Sequence, residues 1–158
     1  MAGSLTRYGE SFILNLAFKG VGTLPSTLFI GLATTNTPGA VFNDDMTLAN
    51  LADVGSGIQE VKDGNYNRQI IEFYDPNIGV DNKTGISNEG NIQFGPWLTD
   101  SLMPDGTTPL PVTHCFITDS VVGTEGNIIA WMSLDNPKEP TAGDMLVFYD
   151  SDIRFTLD

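Results

Sequence analysis

The sequence predicts an all-β domain, an antiparallel sandwich or jelly-roll-like barrel, preceded by one amphipathic helix. Three observations carry that prediction. Apolar residues recur at spacings of three and four only near the start of the chain. Beyond Gly22 the period changes to two, in short runs rich in β-branched and aromatic residues. Gly, Pro, Asn and Asp punctuate the gaps, at the spacing of a sandwich or barrel.

Leu5, Tyr8, Phe12 and Leu16 share one helix face with Ile13 beside them, so a helix is expected from about Ser4 to Lys19. Ser4 can cap its start, and Gly20 stands where a left-handed residue ends a helix. The stripe docks on the body or pairs with another subunit. Residues 27–33 are apolar on both faces and read as a central strand. Residues 68–74, 91–94 and 153–158 read as further strands, as do 112–118, 127–133 and 145–149. Residues 44–53 suggest a short helix around Met46, Leu48 and Leu51. Residues 95–111 hold four prolines and no periodicity, which predicts a long surface loop. Neither a linker nor a 20–50-residue repeat interrupts the chain, so residues 1–158 are read as one domain.

A chain of 158 residues buries roughly two-thirds of its surface on folding, enough for a core without disulfides or metals. Hydrophobic residues at 41% and charged residues at 17% exclude a coiled coil or a disordered chain. Seven basic residues against twenty acidic ones leave a net charge of -13. Such a surface repels phosphate, so neither nucleic acid nor an anionic membrane is expected as a partner. No apolar run approaches the roughly 18 residues of a membrane span. The apolar stretch 12–18 has Glu10 upstream and no basic flank, so no signal peptide is expected. Synthesis in a cytoplasm follows.

Catalytic groups are scarce. His114 and Cys115 are the single residues of their kinds and are adjacent in a predicted strand, where neighbours face opposite sides. They cannot form a dyad, and no second histidine is available for a metal site or a serine nucleophile. The acids Asp44, Asp45, Asp75, Asp81, Asp100, Asp105, Asp135, Asp150 and Asp152 sit in turn contexts, so solvated turn formation outweighs a glycosidase pair. The run Asp81-Asn82-Lys83-Thr84-Gly85 fails the EF-hand spacing. Neither enzymatic activity nor a cofactor or metal is expected. Trp131 reads as core or interface, and Trp97 opens the Pro-rich loop as an anchor or a partner contact.

Several short patterns occur in a shared order. They are the run 28–35 with Pro38, Tyr66-Asn67-Arg68-Gln69 after Gly64, and Val112-Thr113-His114 leading to Ile117 and Asp119. Gly126 to Trp131 with Leu134, then Pro140, Gly143-Asp144 and the closing run 153–158, complete the series. Together they resemble a family of small virion structural proteins of tailed bacteriophages, labelled variously as head-decorating or tail-fibre-like. The departures are the loop 98–111, and Cys115-Phe116 where the family more often has an aromatic then glycine.

The resemblance implies a structural virion component rather than an enzyme. Its first expectation is a capsid decoration (cement) protein on the head exterior, a homotrimer that binds the major capsid protein and bridges neighbouring capsomers. The alternative is a tail or fibre component, or a carbohydrate-binding adhesin domain, that contacts the host. Phe12, Leu16, Trp97, Leu98 and Met103 are the interface candidates, because helix and loop are the elements a sandwich does not need.

Overall fold

The computed structural model describes residues 3–37, 40–78, 83–99 and 110–157. In chain order its elements are β1 (Gly3–Leu5), α1 (Arg7–Leu14), a π-helical turn (Asn15–Lys19), β2 (Leu28–Thr35), α2 (Leu48–Ala52), a 3-10 turn (Val54–Ser56) and β3 (Ile58–Glu60). Then follow β4 (Gln69–Ile71), β5 (Asn77–Ile78), β6 (Thr84–Ser87), β7 (Ile92–Phe94), β8 (Val112–Thr118), β9 (Ile128–Lys138), β10 (Leu146–Phe148) and β11 (Arg154–Leu157).

All of these strands pair antiparallel. The larger sheet runs β1-β9-β8-β2, and β2 shares its outer edge between two strands. β4 lies along Leu28–Ile30 and β3 along Ala33–Thr35. The second layer consists of β7 with β10, and β5-β6-β11. Ile30, Leu32, Cys115, Ile117, Ala130 and Met132 of the large sheet pack against Ile92, Phe94, Leu146, Phe148 and Ile153. This is the expected sandwich.

The other face of the large sheet is covered by chain rather than by strands. Phe42, Met46, Leu48 and Leu51 pack there on Ala33, Phe116 and Ile128. The short helix expected at 44–53 is α2, opened by a Thr47–Asn50 capping box. Alternation sends Leu32 to one core and Ala33 to the other. In β9 the alternation is broken by one extra residue, Ile129, because Ile117 pairs with Ala130 while Thr118 pairs with Ile128. That bulge turns Ile128 to the opposite core from Ala130.

Several boundaries differ from the sequence reading. The helix begins at Arg7, because Ser4 belongs to β1 and pairs with Trp131. Thr6 is the cap: its hydroxyl accepts the Gly9 N–H at 3.1 Å and donates to the Ile128 carbonyl. The C-terminal end matches, with Gly20 at φ 62 closing the π-helical turn. The strand expected over 68–74 shortens to β4, and Phe73 keeps only a bridge to Asn88. β3, β5 and β6 are additions. β6 takes up Thr84 and Gly85, whereas Asp81 and Asn82 lie outside the described residues.

The helix meets β9 at its smallest residue. A Cβ on Gly9 would stand 2.2 Å from the Ile129 carbonyl oxygen, so only glycine permits this approach. Gly9→Ala is expected to lift the helix from the sheet and cost about 1–3 kcal/mol, as overpacking does. Urea unfolding reads the cost. An unchanged midpoint would mean that Gly9 does not set the contact.

Candidate interaction surface

Because Gly9 makes the contact, the helix turns its larger apolar residues outward. Phe12 and Leu16, two predicted interface residues, are half-buried, and Tyr8 stacks on Phe12 with ring centroids 6.1 Å apart. Beyond them the arm exposes Ile13, Leu14, Val21 and Leu24, and Phe18 is 82% exposed. Lys19 is the sole charge from Ser11 to Asn43. Five large apolar side chains exposed on one segment make it the candidate interaction surface. Its base is fixed to the body. The Arg7 N–H donates to the Asp44 carbonyl at 3.0 Å, and the Trp131 indole N–H donates to the Asp44 carboxylate at 3.3 Å. Trp131 is half-buried against Phe42, with ring centroids 5.2 Å apart.

Beside the root of the arm lies an apolar groove of about 340 Å3. Ile13 lines it from the helix, Leu5 and Leu28 from the large sheet, and Phe73, Ile86 and Phe155 from the second layer. The groove thus lies between the two layers, and no side chain of the described residues fills it.

The Tyr66-Asn67-Arg68-Gln69 pattern has a structural role. The Arg68 guanidinium donates through Nε and Nη2 to both oxygens of Glu60, at 2.8 and 2.7 Å. It also donates to the carbonyls of Ser120 at 2.9 Å and Gly123 at 2.8 Å, and lies 5.6 Å from the centre of the Phe116 ring. That ring lies flat over Gly31, where a Cβ would stand 2.3 Å from it. The Tyr66 hydroxyl donates to Glu60 and accepts the Leu32 N–H, both at 2.9 Å. Burial and the Glu60 carboxylate hold the Tyr66 pKa well above its ordinary value, so the hydroxyl stays a donor. Burial alone would lower the Arg68 pKa, but the bonds and charge of Glu60 reverse this and raise it. The motif clamps β3 and the loop 120–123 onto the sheet.

The start of the Pro-rich loop is equally structural. Trp97, read as an anchor of the loop or a partner contact, is 2% exposed in the sandwich core and stacks on Tyr66 at 6.3 Å, the place of an anchor. Leu98 is exposed, as an interface residue requires. Met103 lies outside the described residues. Asp63 accepts from the N–H groups of Asn65, Leu98 and Thr99 and from the Thr99 hydroxyl. Burial pushes its pKa up, but these bonds outweigh it and hold the carboxyl below the ordinary range.

His114 and Cys115 do face opposite sides. Cys115 is buried in the sandwich core, where desolvation pushes its thiol up to about 12. His114 lies against Phe42 and Trp131, its Nδ1 2.8 Å from the Thr113 hydroxyl, and burial lowers its pKa. The two side chains thus lie on opposite sides of the sheet and do not meet. Among the described residues no three His, Cys, Asp or Glu are grouped to hold a metal ion, and no helix is long and apolar enough to cross a membrane. Asp150 accepts from the Gly90 N–H and the Tyr74 hydroxyl, a turn role that lowers its pKa.

Sequence reasoning named Phe12 and Leu16, which are half-buried, but not the exposed Leu14, Phe18, Val21 or Leu24. The signal for them was present as the long acid-free stretch after Glu10 in a strongly acidic chain. The groove, by contrast, joins residues far apart in sequence.

Residues 4–156 match the family described as Podophage GP4 fiber I protein gp80, and the chain belongs to that family. It is thus a bacteriophage virion structural protein. No curated protein matches the chain.

Proposed function

We propose, from that membership, that the chain is a non-catalytic building block of a phage fibre, joined to neighbouring virion chains through its N-terminal arm. The observation that carries the reading is the set of exposed apolar side chains Leu14, Phe18, Val21 and Leu24 on a root bonded to the body from Thr6 to Ile128 and from Arg7 to Asp44. A structural part needs such a surface, whereas a catalyst needs convergent polar groups, and the two candidate groups here point apart. The description of the family as a fibre protein supports this reading over capsid decoration, which the sequence ranked first. A decorating trimer on the head exterior, clamping the major capsid protein, would use the same apolar face. Its many repeated sites would sum modest affinities through multivalency.

Copy number separates the two. Quantitative mass spectrometry of purified virions, referred to the major capsid protein, is expected to give a few percent for a fibre component. A ratio between about one-third and one would overturn the fibre reading and put the chain on the capsid lattice.

A further inference from the structure

We infer that the partner of the arm is a second copy of this chain: Leu14 and Phe18 of one subunit fill the apolar groove beside Ile13 of the next. The inference rests on the arm being the joining surface and names what covers it. Knob and hole match in size. A dry cavity of about 150 Å3 takes one benzene-sized guest, so a groove of about 340 Å3 admits roughly two such groups. Leu14 and Phe18, four residues apart, present two along one edge of the helical segment.

The arm cannot fill its own groove. Ile13 already lines it, and Leu14 points roughly 100° away around the helix. The edge that carries Leu14 and Phe18 therefore faces outward, towards another molecule.

Charge selects the same occupant. The first 43 residues carry two basic groups against one acidic, and the remaining 115 carry five against nineteen. Lys19 follows Phe18 directly, while the exposed Glu72 and Asp75 flank Phe73 and Pro76 of the groove lining. The arm, with Arg7 and Lys19 against the single acid Glu10, is the least acidic part of a chain whose remainder is strongly acidic, so the two attract and one kind of chain supplies both. The contact is heterologous, so it closes into a ring or propagates. Closure at three copies yields the trimer expected for the assembly.

Sedimentation velocity on the full chain and two variants tests this. Phe18→Asp disables the arm, and Thr156→Trp fills the groove. Both positions are exposed, and far-UV circular dichroism matching the wild type verifies the fold. The wild type is expected to reach a fixed multiple of 17.0 kDa as concentration rises. Each variant alone is expected to associate at least roughly 30-fold more weakly, as loss of a central aromatic anchor does. An equimolar mixture of the two retains one intact joint and is expected to form a dimer and nothing larger.

A monomeric wild type would overturn the inference, as would a mixture that stays monomeric. Wild-type mass for Thr156→Trp with a monomeric Phe18→Asp would overturn it in favour of arm-to-arm contact. Virion copy number is independent of all these outcomes, so a failure here leaves the fibre reading to its own test.

Discussion

Glu60→Ala is expected to be among the most damaging substitutions in the body of the protein, lowering stability by about 3–5 kcal/mol. The Glu60 carboxylate accepts from Tyr66 and twice from Arg68, whose side chain is 3% exposed. Removing it leaves the guanidinium charge without a counter-charge and the tyrosine hydroxyl without an acceptor. The cost is the desolvation already incurred by Arg68, no longer offset. Glu60 itself is 18% exposed, so water reaching the vacated site puts the expected loss near the lower figure. Against a total of about 5–15 kcal/mol for a domain, even that loss is severe.

A second variant makes the cause testable. Replacing Glu60 and Arg68 together by methionine removes both charges and keeps most of the volume, and is expected to recover much of the loss. Urea midpoints for the two singles and the double give the coupling. Loss of under about 1 kcal/mol for Glu60→Ala, or no recovery in the double, would refute the buried-clamp account.

Trp97→Ala is expected to cost about 3–5 kcal/mol, in the range of large aromatic truncations. For a chain of this length that lowers Tm by roughly 10 °C or more. Trp97 stacks on Tyr66, Tyr66 on Phe94 at 5.9 Å, and Phe94 meets Phe148 edge-on at 6.2 Å, so one ring supports the next. Trp97→Phe is expected to cost only about 1 kcal/mol, because the buried indole N–H has no hydrogen-bond partner among the described residues and none is lost there. A thermal melt discriminates plainly. A Trp97→Ala protein melting with the wild type would place the indole outside the core and restore it as a partner contact.

The long central strands were legible because burial on two faces writes itself into residue order as apolar, β-branched runs. β2 and β8 could be read directly, β9 as far as Ser133 although it runs on to Lys138, and α2 from its apolar triplet. β1 could not. Three residues are too few for a period, and Leu5 continues the helical spacing of Tyr8, Phe12 and Leu16 by coincidence. The same spacing hid the mode of docking, since an apolar stripe implies burial, yet Gly9 is what touches β9. Trp97 admitted two readings, anchor or partner contact, because prolines nearby signal a surface loop, while its burial depends on Tyr66 and Phe94, some thirty and three residues earlier in sequence. Tyr66-Asn67-Arg68-Gln69 stood out as a pattern, but its partner Glu60 and the carbonyls beyond residue 119 are joined to it only by the fold.

As a mechanical element, the arm transmits load into the domain at two anchorages. It leaves the sheet at Leu5 and returns at Leu28, and the register sets Leu5 level with Ala130, Ile117 and Ile30. Both anchorages therefore lie at one end of the sheet, one on an edge strand and one on an interior strand. The hydrogen bonds of antiparallel strands run perpendicular to the chain. Tension along the strands thus shears every bond of β1 and β2 at once instead of unzipping them singly. Traction on the arm is resisted by the middle of the sheet, through strands held by both cores, and not by the edge strand alone.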